Sequence, residues 1–154
     1  MHTVIFPASY ESLESIGELS TQAATEAGFD ANAAYEVQLA VDEAATNIIE
    51  HAYGGEGRGD IFISYEIAPE TLIFRLHDHG KPFDPKLVKN PKLHLKLEEV
   101  SPRGLGIFWM RRLMDEVRFE FSSDGGNTLT MIKNRPSNRL KTATDRSEIS
   151  AQDQ

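Results

Sequence analysis

Three separated groups of residues in this 154-residue chain carry side chains fit for chemistry. The first is Glu43, Asn47 and His51, spaced four apart. On a helix that spacing stacks a carboxylate, an amide and an imidazole on one side over two turns. Val37, Val41, Ala44, Ala45 and Ile48 supply an apolar seam beside them. Read chemically, Glu43 is a proton acceptor and Asn47 an oxygen ligand to Mg²⁺, a hard cation that keeps several waters and needs few protein donors. Read plainly, the same residues are a polar face turned to solvent, as most surface helices have.

The second group is Asp78-His79-Gly80-Lys81-Pro82-Phe83-Asp84. It follows a run that alternates like a strand. A carboxylate at that point could accept the exocyclic amine of adenine, and Gly80 would let the backbone come close to the ring. A simple Asp-x-Gly turn is the plainer reading. The third group is Arg103-Gly104-Leu105-Gly106-Ile107. Its glycines open an amphipathic helix whose first N–H groups lack intrahelical partners, an arrangement suited to phosphate. The P-loop and dinucleotide fingerprints are both absent. His77 and His79 have no third ligand to complete a zinc site, and there is no G-x-S-x-G elbow. Trp109 falls on the apolar stripe of its helix and is expected in the core; Arg111-Arg112 reads as a solvated edge.

These groups need elements to hold them. Residues 3–6 read as a short strand stopped by Pro7. A helix follows over Tyr10 to Ala27, with Leu13, Ile16, Leu19, Ala23 and Ala27 on its apolar side, and Gly28 ends it. Asp30 is placed to cap a second helix that runs to about Tyr53, where Gly54-Gly55-Glu56-Gly57 stops it. Ile61, Ile63, Tyr65 and Ile67 alternate, as do Leu72, Phe74 and Leu76 after a Pro69-Glu70 turn, which predicts an antiparallel hairpin. Residues 79–103 hold four prolines and no sustained period, the signature of a long functional loop. A helix from Gly104 carries Leu105, Phe108, Trp109 and Leu113 as its apolar residues. Val117, Phe119 and Phe121 alternate as a strand, Asp124-Gly125-Gly126-Asn127 makes a turn, and Thr128 to Lys133 form the last strand. The order β-α-α-β-β-loop-α-β-β predicts an α+β, two-layer sandwich, a mostly antiparallel sheet covered on one face by three helices. One domain is expected over 1–135, with a polar, disordered tail over 136–154.

Charge narrows the partners. Sixteen basic against twenty-four acidic residues give a net charge of −8, which argues against nonspecific binding to nucleic acid or anionic lipid. Residues 1–50 hold nine carboxylates and neither Lys nor Arg, whereas Lys81, Lys86, Lys89, Lys92 and Lys96 crowd into the long loop. That contrast suits a basic loop near an anionic ligand and an acidic surface left for a protein partner, if it is more than two solvated stretches. There is no cysteine, no apolar run long enough to span a membrane, and no secretory signal, so a cytoplasmic setting is expected.

Taken in order, Glu43-x-x-x-Asn47, Asp78-x-Gly80-x-Pro82-Phe83, Arg103-Gly104-Leu105-Gly106 and Gly126-Asn127-Thr128-Leu129 resemble the GHKL ATPase/kinase superfamily with its Bergerat ATP-binding fold. Within it, Asn47-Ile48-Ile49-Glu50-His51-Ala52-Tyr53 and the stretch Gly104 to Phe119 look most like the bacterial anti-sigma factor serine/threonine kinases. The resemblance covers nearly all of residues 1–135. It implies Glu43 as general base, Asn47 as Mg²⁺ ligand, Asp78 with Gly80 at adenine, and Gly104 and Gly106 under the phosphates. It implies Thr128 as a water-mediated aid to the adenine contact and His51 near the phosphates. Pro82, Phe83, Arg103 and Leu105 complete the nucleotide contacts, and the lysine-rich segment 84–103 corresponds to a lid over ATP. Ser101-Pro102 departs from relatives that often carry glycine there, and a proline would stiffen the lid. The implied function is ATP- and Mg²⁺-dependent phosphorylation of a small anti-anti-sigma protein of the STAS type, alternating with capture of a sigma factor, by a homodimer. A nucleotide-dependent binding module without transfer, and a detached histidine-kinase catalytic domain, are the competing readings.

Overall fold

The computed structural model describes residues 2–82, 102–122 and 125–136, and of 102–106 the helix backbone alone. The chain runs β1 (Thr3–Pro7), a 3₁₀ turn (Tyr10–Ser12), α1 (Leu13–Glu26), α2 (Ala31–Asn47), one π-helical turn (Ile48–Ala52), β2 (Asp60–Ile67), β3 (Thr71–Asp78), α3 (Pro102–Leu113), β4 (Glu116–Ser122) and β5 (Gly126–Asn134). Phe83, the expected lid up to Ser101 and the expected tail beyond Pro136 lie outside the described residues.

The strands form one antiparallel sheet in the order β1-β2-β3-β5-β4. Side chains alternate across a strand, so burial on every second residue marks the covered face. Ile61 and Ile63 of β2, Leu72, Phe74 and Leu76 of β3, and Leu129 and Met131 of β5 are buried there. Ile16, Ala23, Val37, Val41, Ala44, Ala45, Ile107 and Met110 of the three helices close over them. Each such large side chain contributes about 1.5–3 kcal/mol on leaving water. The α+β two-layer sandwich expected from the element order is therefore the fold.

Local chemistry explains the boundaries. The Asp30 carboxylate accepts the Ala33 N–H at 2.8 Å and so satisfies an orphan donor at the start of α2. The first helix opens at Tyr10 as a 3₁₀ turn and becomes α-helical at Leu13. The long second helix is not uniform: its α-helical part stops at Asn47 and the chain widens into a π turn. That device inserts an extra residue into a helix and is frequent at functional sites. The third helix opens at Pro102, two residues before the expected glycine, because proline has no N–H to lose in a first turn and a φ already suited to helix. Its buried side chains are Ile107 and Met110, continued by Met114 just past its end, while Trp109 is 38 % exposed and not a core residue. The phase misled because the bulky aromatics of this helix flank the stripe and two methionines fill it. Gly126 and Asn127 belong to β5 rather than to the turn before it.

Candidate functional site

An open cleft of about 380 Å³, counted out to its mouth, lies between the helices and the sheet. Ala44, Asn47, Ile48 and Ala52 form one wall, and Met110 closes it from α3. Asp78, Asn127 and Leu129, with Phe119 and Phe121 of β4, form the floor. Among the described residues the lining is apolar apart from Asn47, Asp78, Asn127 and Thr128. Such a surface suits a flat heteroaromatic ring with a few fixed polar contacts.

Asp78 ends β3 and stands directly opposite Asn127 in the ladder, so both side chains point to the helix-covered side. The Asp78 Oδ1 atom accepts from Asn127 Nδ2 at 2.7 Å and from the Gly80 N–H at 2.8 Å. Asn127 Nδ2 also reaches the carbonyls of Gly80 at 3.2 Å and Lys81 at 3.0 Å. One carboxylate oxygen is thus engaged by the protein, and the group is 3 % exposed. Burial holds the Asp78 carboxyl above the usual carboxylate range, against the opposing pull of Asn127, Gly80, His77 and His79. Two glycines make the approach possible. A Cβ on Gly80 would run into the backbone carbonyl of Ala52, and one on Gly126 into the carbonyl of Asp78. The Lys81 N–H donates to that same Ala52 carbonyl at 2.7 Å, which ties the turn after β3 to the π turn after α2.

Asn47 stands at the junction of α2 and the π turn. Its buried Nδ2 and the buried Oδ1 of Asn127 find no hydrogen-bond partner among the described residues. Buried amides are rarely left so. Both line the cleft, so both are placed to meet a bound group. A half-turn of the Asn47 amide presents its oxygen instead, the donor a hard cation requires. Glu43 lies one turn back on α2 and is not part of the lining. Burial first, then the charges of Asp42 and Glu50, raise its pKa above that of an ordinary glutamate. The Glu43 carboxylate is half-buried.

Other expected residues fall differently. His51 lies within the π turn and is not among the described residues that line the cleft. Thr128 borders the cleft, but its hydroxyl is held by His77 Nδ1 at 2.8 Å. Alternation puts that pair on the opposite side of the sheet from Asp78. The strand residue whose side chain reaches the carboxylate is Asn127, which sequence reasoning had assigned to a turn. Its signal was present, since a polar residue placed on the buried side of a strand needs a partner. Pro82 follows the tied turn, and Arg103, Gly104, Leu105 and Gly106 form the backbone of the first turns of α3.

The sequence pattern of the histidine kinase-like ATPase domain matches residues 6–133. The chain belongs to that family. It is 33 % identical over 144 residues to the serine-protein kinase RsbW of Listeria innocua, covering 85 % of each chain. It is 32 % identical over 98 residues to an anti-sigma F factor of Anoxybacillus flavithermus, covering 64 % of this chain and 67 % of that one. Among solved structures, the RsbU and RsbW domains of Rv1364c from Mycobacterium tuberculosis superpose with a TM-score of 0.56 at 15 % identity, over 89 % of this chain and 34 % of that one. The catalytic domain of the histidine kinase ThkA gives 0.51 at 14 % identity, over 88 % and 98 %. At those identities the structural likeness speaks for the fold. Asp78 and Asn47 are the residues that the sequence pattern expects to meet. Here they line one cleft. No described helix is long and apolar enough to cross a membrane.

Proposed function

We propose that this chain is an anti-sigma regulatory factor with ATP-dependent serine/threonine protein kinase activity, which phosphorylates an anti-anti-sigma antagonist of the STAS type and sequesters a sigma factor. Its partners are proteins rather than nucleic acid or membrane, and it acts in the cytoplasm as a homodimer. The observation that carries the reading is the Asp78 carboxylate, buried on the floor of the cleft and oriented by Asn127 and Gly80. The likeness to RsbW over 85 % of the chain supports the choice of substrate class.

Asp78 accepts the adenine amine, and Phe119, Phe121, Ile48 and Met110 exclude water from the ring. Backbone N–H groups in the first turn of α3, up to Gly104, donate to the phosphates. These donors share the phosphate charge with a bound cation. The unpartnered Asn47 amide fits a magnesium ligand, and Mg²⁺ when bound neutralises charge on the phosphate oxygens. Glu43 takes the proton from the substrate hydroxyl as its oxygen bonds to the γ-phosphorus. The bond from that phosphorus to the bridging oxygen breaks, and ADP leaves. Orientation and proton removal of this kind contribute about 10²–10⁴-fold.

The test is transfer of radiolabel from γ-labelled ATP to a purified STAS-type antagonist, with and without Mg²⁺. Label on the antagonist supports the kinase. ATP binding without transfer, together with ATP-dependent capture of a sigma factor, would make the chain a binding module instead.

A further inference from the structure

The register that pairs Phe62 with His77 puts Asp60 opposite His79 one step further along the β2–β3 hairpin. A direct ladder bond between the His79 N–H and the Asp60 carbonyl would close that step. The phenol of Tyr53 stands between them instead. Its hydroxyl accepts from the His79 N–H at 3.0 Å and donates to the Asp60 carbonyl at 2.7 Å. The ring fits because Gly59 has no side chain, and a Cβ there would overlap it. Burial raises the pKa of the phenol, so it stays protonated and keeps both roles.

The interposed hydroxyl takes the place of a ladder bond immediately beside Asp78. The chain leaving β3 is then free to turn at Gly80 and close on the Ala52 carbonyl. Residues 52 and 53 therefore hold both sides of the same turn: Ala52 through Lys81, Tyr53 through His79. We propose that Tyr53 is a positioning residue for adenine recognition, whose hydroxyl spaces β3 from β2 so that the Asp78 carboxylate is aimed at the 6-amino group of the nucleotide. The inference rests on the reading of Asp78 as the adenine contact. Without the hydroxyl the hairpin closes by one more pair, His79 moves toward Asp60, and Asp78 and Gly80 move with it.

The experiment compares the full chain with Tyr53→Phe, which keeps the ring and removes only the hydroxyl. Calorimetry with Mg²⁺ measures affinity for ATP and for inosine triphosphate, which carries a carbonyl where adenine carries the amine. The expected result is about a tenfold loss for ATP, the scale of one net hydrogen bond, with inosine triphosphate little changed. Discrimination between the two purines thus collapses. Phosphotransfer at saturating ATP should change far less than the KM for ATP. An unchanged ATP affinity, or an equal loss for both nucleotides, would overturn the assignment, since a merely structural tyrosine weakens both alike. Should the Phe variant fail to fold, amide exchange in the unmodified chain decides. Protection of the His79 N–H comparable to the ladder amides supports the bridge, and rapid exchange refutes it. An unmodified chain that binds both purines equally overturns the Asp78 reading, and this inference with it.

Discussion

The carboxylate of Asp78 and the side-chain amide of Asn127 meet 2.7 Å apart across β3 and β5, both buried. Asn127 leaves its carbonyl oxygen without a partner among the described residues. It spends its donors on Asp78 and on the turn that follows. Asn127→Ala removes all of these bonds and leaves a buried carboxylate with one fewer donor. The expected cost is about 1–3 kcal/mol of stability, with a further rise in the Asp78 pKa and weaker ATP binding. Denaturant unfolding and calorimetry on the same preparation check both. Unaltered unfolding would mean that the amide does not support the carboxylate.

Asp78→Asn is nearly isosteric, so Asn127 and Gly80 can still donate to the oxygen that remains. The other carboxylate oxygen becomes an NH₂ and faces the adenine amine donor to donor. ATP binding should fall by at least about 30-fold, the equivalent of roughly 2 kcal/mol, while the fold persists. Circular dichroism and calorimetry separate the two. An unchanged dissociation constant would remove Asp78 from the site.

Much of this was legible in the sequence, and the misses have physical causes. Alternation in Ile61–Ile67 and Leu72–Leu76 and the Asp30 cap arise from local backbone geometry, so a pattern of apolar and capping residues reports them directly. Asp78 and Asn47 were also legible, through their order along the chain. The π turn was not, because apolar spacing in 48–52 fits an α-helix equally well. Asn127 and Tyr53 were missed for another reason: each bonds a residue distant in sequence, and which residue that is depends on the tertiary packing.

The raised pKa of Asp78 fixes the sign of a pH effect. Between the ordinary aspartate value and the native one, the folded chain binds this proton more tightly than the unfolded chain does. The group's favourable contribution to stability is therefore full below the ordinary value and is lost as pH rises through the native pKa. Asp78→Asn lacks that titration. The stability of the variant minus that of the unmodified chain should rise with pH through this window and then level off. Nucleotide affinity runs the other way, because the amine contact needs the ionised form. Urea unfolding of both chains, from below the carboxylate range to neutral pH, gives the difference. A flat difference would mean that burial does not perturb Asp78.

Glu43 is the remaining carboxylate with an assigned task, and its position outside the cleft lining separates binding from transfer. Glu43→Gln should leave ATP affinity unchanged and lower phosphorylation of the antagonist by about 10²–10⁴-fold. Burial, Asp42 and Glu50 all push its pKa up, so the unmodified kinase should gain rate with pH along a limb above the usual glutamate range. Glu50 is held in place by the Tyr10 hydroxyl at 2.9 Å. Glu50→Gln removes one of the charges that raise the Glu43 pKa, so the limb should move to lower pH. Burst-free initial rates across pH for the three chains check all of this. Normal turnover in Glu43→Gln would reject the base, whereas a limb that ignores Glu50→Gln would keep the base and reject its electrostatic neighbour.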